Sequence, residues 1–347
     1  MISLAFLAEK WPLRRDELDR VAQRYPFRLS GYYGGLIRAP EDPVWLQAVP
    51  NVSELADAAG YEDPLAEEGL SPVPNLVHRY GNRVLWLVSE ECAVHCRFCT
   101  RKRRWGVSAP LTDELLREGL EYIARSTQVK DVLLSGGDPL LLPVSRLEGI
   151  LASLRRIPHV EIIRIGTRLP CTLPGRVTGD LARVLAKYHP LYVNIHFNHP
   201  RELTEESREA CLNLVQAGIP LGSQTVLLRG VNDDARTLQA LFEGLLRMRV
   251  RPYYLMQMDL TRGTAHFRTP VSTGLKIMDA LRNRVSGLAM PHFVVDLPGG
   301  HGKIPLTPNH VESVDGDRMI VRGTRGNRVT YPLLEGEGPK LRSMLGR

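Results

Sequence analysis

Three closely spaced cysteines are the strongest chemical signal in this sequence. Cys92, Cys96 and Cys99 follow one another at C-x3-C-x2-C spacing. Thiolates are soft ligands that suit zinc and iron–sulfur clusters. A closed structural zinc site takes four ligands, whereas three thiolates on a 4Fe–4S cube leave one iron open to a small molecule. The triplet predicts a cluster site. A zinc site completed by His95 or by a distant residue is the alternative, and a disulfide is disfavoured in a long chain without an export signal.

Two glycine-rich stretches carry further candidate residues. Gly136, Gly137 and Asp138 end an apolar run, where backbone without side chains could lie against a ligand. Lys303 follows the glycine-rich stretch 298–302. A lysine amine in such a loop can form a Schiff base with a carbonyl compound such as pyridoxal phosphate (PLP). Contact with a phosphate, or a place in an exposed turn, is the alternative.

The composition is that of a globular protein with a surplus of positive charge. The chain has 347 residues, is 43% hydrophobic and carries a net charge of +7. It has no run of roughly 18 apolar residues that could span a membrane, and its short apolar start runs into Glu9 and Lys10. We therefore expect a cytoplasmic protein. The basic run 101–104 directly follows the cysteines, and we expect it to hold anionic groups near them rather than nucleic acid.

The elements that must position these residues alternate between strands and helices. Apolar, β-branched runs predict strands at Val84–Val88, Asp131–Ser135, Glu161–Gly166, Leu191–His196, Leu221–Leu228, Pro252–Gln257 and His292–Asp296. Amphipathic patterns predict helices at Asp113–Arg125, Arg146–Arg156, Leu181–Lys187, Glu205–Ala217, Arg236–Met248 and Thr273–Val285. Strands that recur about every 30 residues indicate βα units and a parallel sheet. The pattern predicts an α/β, TIM-like, partial (βα)6 barrel, with the active site at the carboxyl ends of its strands.

The two ends of the chain depart from this rhythm. Residues 1–75, with a helix predicted over Leu13–Tyr25 and an acidic stretch over Glu54–Leu70, are expected to wrap around a barrel formed by residues 76–305. Residues 306–347 are expected to form an extension, with a small β region over Asn309–Pro332 and a loosely ordered polar end.

Taken together, the motifs resemble the lysine 2,3-aminomutases, a family of radical S-adenosylmethionine (SAM) enzymes that also use PLP. The cysteine triplet resembles the radical SAM signature, and the stretch 136–138 resembles its motif for the amino group of SAM. The likeness is collinear over about residues 20 to 325. The stretches that carry it include His78-Arg79-Tyr80, Arg164-Ile165-Gly166-Thr167-Arg168, His196-Phe197-Asn198-His199-Pro200, Arg251-Pro252-Tyr253-Tyr254 and Phe293 to Pro305.

This resemblance implies a role for each candidate residue. The implied ligands of a 4Fe–4S cluster are Cys92, Cys96 and Cys99. The residues implied at the SAM site are Gly136, Gly137, Asp138, His196 and Gln224. The residues implied for PLP are Lys303, which would carry it covalently, with Arg79, Tyr80 and Arg83 beside it. The residues implied for the substrate are Arg101 for the carboxylate, and Asp259 and Asp296 for the side-chain ammonium of lysine.

The implied reaction is the isomerisation of L-lysine to L-β-lysine by migration of the amino group from Cα to Cβ, with an external one-electron reductant. Two carboxylates in a barrel mouth need a cation, so Asp259 and Asp296 favour a cationic amino acid over glutamate. Arginine or another cationic amino acid, and a lysine destined for elongation factor P, remain alternatives. A basic iron–sulfur or zinc protein that binds RNA would leave Lys303 and the acidic pair without a purpose.

The sequence departs from the familiar family pattern at the subunit contacts. Familiar members carry a cysteine-rich tail that binds zinc together with a cysteine of a neighbouring subunit. This chain has no cysteine after Cys211, and Asp234 stands where the partner cysteine would be expected. We therefore expect no structural zinc, and a homo-oligomer held by other contacts. Cys171 and Cys211 are predicted to be buried core thiols.

Overall fold

A curled sheet of nine strands forms the centre of the computed structural model, which describes residues 1–11, 14–57, 59–106, 111–323 and 326–346. The strands are β1 (Leu76–Tyr80), β2 (Arg83–Ser89), β3 (Asp131–Gly136), β4 (Ile162–Thr167), β5 (Leu191–His196), β6 (Leu221–Leu227), β7 (Arg251–Gln257), β8 (His292–Asp296) and β9 (Lys303–Pro305). Strands β2 to β8 pair in parallel, in chain order. These are the seven predicted strands, and all are confirmed.

Two strands were not predicted, and both lie at the edges of the sheet. Strand β1 pairs antiparallel with β2, and β9 pairs antiparallel with β8. Neither shows a run of apolar residues long enough to indicate a strand. Within the described residues β1 and β9 do not pair with each other, so the barrel is incomplete, as the sequence predicted.

Helices cover the outside of the sheet and the approach to its mouth. They are α1 (Leu4–Lys10), α2 (Arg15–Arg24), α3 (Gly31–Gly35), α4 (Pro43–Ala48), α5 (Asp113–Arg125), α6 (Val144–Arg155), α7 (Leu169–Thr172), α8 (Gly179–Ala186), α9 (Glu205–Gln216), α10 (Ala235–Arg247), α11 (Val271–Leu281) and α12 (Glu337–Met344). Helices α5, α6, α8, α9, α10 and α11 connect successive parallel strands, which confirms the (βα)6 pattern. The start of the helix predicted over Leu13–Tyr25 lies outside the described residues.

The pleat of the strands separates the core from the interior of the barrel. In β4, Ile163 and Ile165 are fully buried in the hydrophobic core, whereas the alternating residues Ile162, Arg164 and Gly166 border an internal cavity. Successive side chains of a strand point to opposite faces, so one face packs apolar residues under the helices and the other is free to carry polar groups. Because of this alternation, polar and charged side chains can line the barrel interior while the opposite face stays apolar.

The C-terminal region forms a separate three-stranded antiparallel sheet. Its strands are β10 (Val311–Asp315), β11 (Arg318–Arg322) and β12 (Arg328–Pro332), and they confirm the predicted β region. The prediction of a loosely ordered end was wrong over Glu337–Met344, which forms α12. Glu337 lies in the first turn of this helix and Arg342 in its last, where charges of these signs stabilise a helix. None of the described helices is both long and apolar enough to cross a membrane.

Candidate functional site

A cavity of about 810 Å³ lies inside the barrel, and every site residue predicted from the sequence borders it. These residues are Arg79, Tyr80, Arg83, Cys92, Cys96, Cys99, Arg101, Gly136, Gly137, Asp138, His196, Gln224, Asp259, Asp296 and Lys303. The cysteine loop follows β2, and Lys303 begins β9 at the far end of the strand order. Curling of the sheet brings these two edges to one cavity.

The three thiols line this cavity and fit a sulfur-ligated cluster. Arg168 Nη1 donates a hydrogen bond to Cys96 Sγ at 2.8 Å, and the backbone N–H of Arg101 donates to Cys99 Sγ at 3.3 Å. In the part of the chain that the structure describes, Nε of Arg168 is a buried donor without a partner. Burial raises the pKa of Cys99 to about 11, so a metal must displace the thiol protons as it binds. The donors and thiols together suit an anionic metal–sulfur group.

The position of His95 weighs against the alternative of a zinc ion. Its Nδ1 lies 2.9 Å from the carbonyl oxygen of Pro26, and its ring stacks on Trp105 with centroids 4.4 Å apart. Burial lowers the pKa of His95 to about 4. The ring is therefore neutral and engaged with the N-terminal region, and His95 is not among the described residues that border the cavity.

The glycines at the end of β3 serve the cysteine loop directly. A Cβ on Gly136, where φ is +124°, would lie 2.1 Å from the carbonyl oxygen of Ser89. A Cβ on Gly137 would lie 2.2 Å from that of Glu91. The backbone just before the cysteines packs against these glycines, and Gly137 N donates to Ser89 O at 2.6 Å. We expected the glycines to admit a ligand. They border the cavity, and they also admit the chain that presents the cysteines.

Asp138 is held by the protein on both carboxylate oxygens. Thr167 Oγ1 donates to it at 2.8 Å, and the backbone N–H of Arg168 at 2.7 Å. Burial raises the pKa of Asp138 to about 6. Its contacts join the end of β3 to the end of β4, so a structural role accompanies any contact with a ligand.

His196 and Gln224 lie side by side on β5 and β6, in register. His196 Nε2 lies 3.0 Å from Asn198 Oδ1, and burial lowers the pKa of His196 to about 4. The imidazole is therefore neutral and offers hydrogen bonds rather than charge. Both side chains border the cavity next to the cysteine loop, where Phe98 packs on His196 with ring centroids 5.4 Å apart.

Lys303 lies at the opposite side of the cavity, where it follows the glycine-rich stretch as the first residue of β9. It pairs in register with Asp296, and its Nζ contacts the Asp296 carboxylate. Arg79 Nη1 lies 3.2 Å from the other oxygen of Asp296. The phenol of Tyr80 accepts a hydrogen bond from the Lys303 backbone N–H at 3.1 Å. The lysine is therefore held among cationic and aromatic residues that suit an anionic, planar group.

The predicted acidic pair meets at the ends of β7 and β8. Burial, together with the charge of Asp296, raises the pKa of Asp259 to about 7, although Lys303 and Arg79 oppose this rise. Like charges that share a buried site favour protonation of one of them. Asp296 pairs with Lys303 and Arg79, whereas buried Asp259 has no ion-pair partner among the described residues, so this side of the cavity favours an incoming cation.

Glu67 is a cavity residue that the sequence did not identify as part of the site. Its carboxylate accepts hydrogen bonds from Arg101 Nε at 2.9 Å and from Nη2 at 2.6 Å, and only 5% of the residue is exposed. The acidic composition of residues 54–70 was the available signal. It did not indicate which carboxylate would reach the barrel, because Glu67 and Arg101 lie 34 residues apart.

The basic run pairs largely with the same acidic stretch. Buried Lys102 contacts Glu54 at 2.7 Å, and Arg103 contacts Asp63 at 3.1 Å. Glu54 also accepts from buried Arg97 at 2.6 Å. The run thus contacts anionic groups near the cysteine loop, and these are carboxylates of the N-terminal region; that it also holds an anionic ligand stays a prediction.

Several other cavity residues carried no role in the sequence reasoning. Tyr253 and Tyr254 have ring centroids 3.9 Å apart, and Lys303 Nζ lies 5.3 Å from the Tyr254 ring. Arg164 of β4 pairs with Asp131 of the neighbouring strand β3 at 2.8 Å. Outside the cavity, Cys171 and Cys211 are fully buried, as predicted, and Asp234 accepts from Thr237 N to cap α10.

An incomplete (βα)6 barrel with three cysteines after its first parallel strand defines a radical SAM protein, and residues 86–241 match the family described as the Radical SAM superfamily. Residues 278–338 match the family described as Lysine-2,3-aminomutase. The chain is 50% identical to the L-lysine 2,3-aminomutase of Clostridium subterminale, over 92% of this chain and 79% of that protein. It is 48% identical to the enzyme of the same name from Acetoanaerobium sticklandii, over 92% and 78%. The chain belongs to the lysine 2,3-aminomutase family.

A relative named for another substrate is also similar. The glutamate 2,3-aminomutase of Clostridioides difficile is 41% identical, over 90% of this chain and 75% of that protein. Overall identity therefore does not by itself distinguish the substrate, and the residues of the cavity must be considered individually.

Proposed function

We propose that this protein is an isomerase that moves the α-amino group of L-lysine to Cβ and forms L-β-lysine. The observation that carries the proposal is the acidic pair of Asp259 and Asp296 beside Lys303, in the same cavity as the three cysteines. The names of the 50% and 48% identical relatives support the same reaction. An acidic pair in which Asp259 has no ion-pair partner among the described residues suits the ammonium of lysine and repels the second carboxylate of glutamate.

The cofactors proposed are a 4Fe–4S cluster on Cys92, Cys96 and Cys99, SAM beside it, and PLP on Lys303. When bound, the cluster and SAM supply an organic radical, and PLP holds the migrating nitrogen. Arg79, Tyr80 and Arg83 border the cavity on the side of Lys303, and guanidinium groups suit a phosphate. The barrel wall then keeps water away from the reacting atoms.

The proposed substrate contacts use charged side chains that line the cavity. Glu67 engages the Nε–Nη2 edge of Arg101, and the Nη1 nitrogen at the other edge of the fork is proposed to bind the substrate carboxylate. Asp296 contacts Lys303 Nζ, and its other oxygen lies 3.2 Å from Arg79 Nη1. Asp259, which has no ion-pair partner among the described residues, is proposed to bind the substrate ammonium together with Asp296.

The remaining proposals concern the setting of the reaction. We propose that the cytoplasm is the compartment, because thiols needed for a cluster stay reduced there. An external one-electron reductant is required. We also propose a homo-oligomer without structural zinc, and a division into a wrapping region (1–75), a barrel (76–305) and an extension (306–347).

An anaerobic assay with three substrates tests the function. The protein is reconstituted with iron, sulfide and PLP, supplied with SAM and dithionite, and offered lysine, arginine and glutamate separately. We expect β-lysine as the main product, identified by mass spectrometry. Product from arginine instead would assign the alternative substrate, and product from glutamate alone would refute the argument from the acidic pair. The PLP site is tested by Lys303→Ala, which should remove the imine absorption band.

A further inference from the structure

We propose that Arg168 is a positioning residue for the iron–sulfur cluster. Its guanidinium fixes the Cys96 thiolate and makes the cluster easier to reduce. This inference rests on the cluster assigned under the proposed function. Arg168, which directly follows β4 and lies outside the cysteine motif, would then help to set the reduction potential of the cluster.

The contact between Arg168 and Cys96 is short and buried. Arg168 Nη1 lies 2.8 Å from Cys96 Sγ, and only 8% of Arg168 is exposed. The Cζ atom of the guanidinium also lies 5.2 Å from the centroid of the Phe98 ring, which belongs to the cysteine loop. A charged donor in a water-poor environment forms a strong hydrogen bond with a thiolate.

The other arm of the guanidinium is anchored, so the donor cannot easily turn away. Arg168 Nη2 donates to Glu202 Oε1 at 2.8 Å, to Gln47 Oε1 at 2.7 Å and to Tyr33 Oη at 3.1 Å. Glu202 and Gln47 are both fully buried. A side chain held on one arm by three partners presents its other arm in a fixed direction.

The anchor is itself fixed by backbone groups. Glu202 Oε2 accepts from the backbone N–H of Asn198 at 2.6 Å and of His199 at 2.9 Å. The backbone N–H of Arg168 donates to Asp138 Oδ2 at 2.7 Å. Arg168 thereby connects the ends of β3, β4 and β5 with the cysteine loop, which is the arrangement of a residue that orients a ligand.

The effect on reduction follows from charge. The step is the transfer of one electron from the external reductant to the cluster, from the 2+ to the 1+ state, with no bond made or broken and no proton moved. Hydrogen bonds to ligand sulfurs and the local charge help to set the potentials of such clusters. The reduced state is the more negative, so a guanidinium beside a ligand sulfur stabilises it more than the oxidised state. Glu202 opposes this effect in part, from the far arm of the guanidinium.

The test compares cluster potentials in a set of variants. Wild type, Arg168→Lys, Arg168→Met and the control Arg201→Met are reconstituted, and their midpoint potentials are measured by redox titration monitored by electron paramagnetic resonance. Arg201 pairs with Asp42 at 2.9 Å and likewise joins the N-terminal region to the loop after β5, but it does not border the described cavity. We expect the potential to shift downward in Arg168→Lys and further downward in Arg168→Met, and to stay unchanged in Arg201→Met.

Iron and sulfide analysis makes the outcomes distinguishable. An Arg168→Met variant with a full cluster and the wild-type potential would overturn the inference. If Arg168→Met holds no cluster, the midpoint potential of Arg168→Lys is the deciding measurement. A potential of Arg168→Lys below that of the wild type supports the inference, and an unchanged potential overturns it. A wild-type protein that assembles no cluster would instead refute the proposed function.

Discussion

The two sides of the cavity treat buried charge in opposite ways. At the cysteine side, the buried cations Arg97 and Lys102 contact Glu54, and Arg168 contacts Glu202. At the lysine side, Asp296 pairs with Lys303 and Arg79, whereas buried Asp259 has no ion-pair partner among the described residues, and its pKa rises to about 7. The comparison indicates that the charges of the cysteine side are already paired within the protein, whereas the lysine side is suited to bind a cation.

The origin of the partners explains this difference. The carboxylates of the cysteine side come from outside the barrel strands, with Glu54 in the N-terminal region and Glu202 in the loop after β5. Clamping the loop from several elements suits a cluster that must remain bound. The charges of the lysine side lie in or directly after strands β1, β7, β8 and β9, where a substrate entering the mouth can reach them.

The largest expected effect is on the stability of the cysteine side. Glu54→Gln leaves Arg97 and Lys102 buried without a compensating charge, which typically costs about 3–5 kcal/mol. Urea unfolding of the reduced apoprotein measures the loss. Glu62→Gln is the matched control, because Glu62 likewise pairs with two cations, Arg24 and Arg262, but near the surface, where such pairs contribute about 1 kcal/mol or less each. Equal losses in the two variants would contradict the distinction between the sides.

Removal of one carboxylate from the lysine side should impair catalysis instead. Asp259→Asn leaves the substrate ammonium incompletely paired, at a cost of about 2–5 kcal/mol, or on the order of 30- to 5,000-fold in kcat/KM for lysine. Steady-state assays under anaerobic conditions measure it. Asp279→Asn removes a half-exposed carboxylate of α11 and should leave kcat/KM unchanged. A fall of less than about tenfold in kcat/KM of Asp259→Asn would indicate that the substrate ammonium does not bind at Asp259.

The same carboxyl predicts a pH dependence of substrate binding. With a pKa of about 7, Asp259 gains a proton as the pH falls, and its attraction for a cation is lost. KM for lysine should therefore rise as the pH falls below 7, by a factor that approaches tenfold per pH unit. The measurement is KM from pH 8 to pH 6, and the Asp259→Asn variant should show a flatter profile. A wild-type KM that does not change would contradict this role.

The raised pKa of Asp259 also predicts that this carboxyl lowers the stability of the apoprotein at high pH. The pKa of Asp259 is higher in the folded protein than its usual value near 4, so the native state binds the extra proton between about pH 4 and pH 7. The contribution of this carboxyl to stability therefore falls as the pH rises through that range. Asp259→Asn should stabilise the apoprotein at pH 8, by up to about 4 kcal/mol, whereas at pH 4 the two proteins should unfold alike. Thermal unfolding compares them.

The smallest expected effect concerns Glu67, where the two sides meet. Glu67→Gln keeps an acceptor for Arg101 but removes the charge, which should weaken the hold on the guanidinium by about 1 kcal/mol. We expect a rise of about fivefold in KM for lysine and little change in kcat. A fall in kcat without a change in KM would indicate that Glu67 acts in the reaction step rather than by positioning Arg101.

Most of the barrel could be predicted from the sequence, because each strand and helix has a recognisable hydrophobic pattern within its own residues. Seven strands and the helices between them showed the right hydrophobic period, and the cysteines, Lys303 and the acidic pair lie at strand ends where the family pattern places them. Strand β9 was missed because it spans only three residues after a glycine-rich stretch. Helix α12 was missed because its composition is polar.

The sequence could not identify the partners of the site residues. Arg168 and Cys96 are 72 residues apart, and Glu54 and Arg97 are 43 apart, so no local pattern links them. The glycines of β3 looked like ligand contacts, since their conformational freedom is visible in sequence but the atoms that require it are not. Only the fold shows that the cysteine loop itself occupies that space.

The most direct test of the central claim is an anaerobic crystal structure of the protein loaded with iron, sulfide, PLP and SAM. The account predicts a cluster on Cys92, Cys96 and Cys99, and electron density that joins PLP to Lys303 Nζ, both facing the one cavity inside the barrel. A cluster on other residues, or PLP bound away from that cavity, would contradict it.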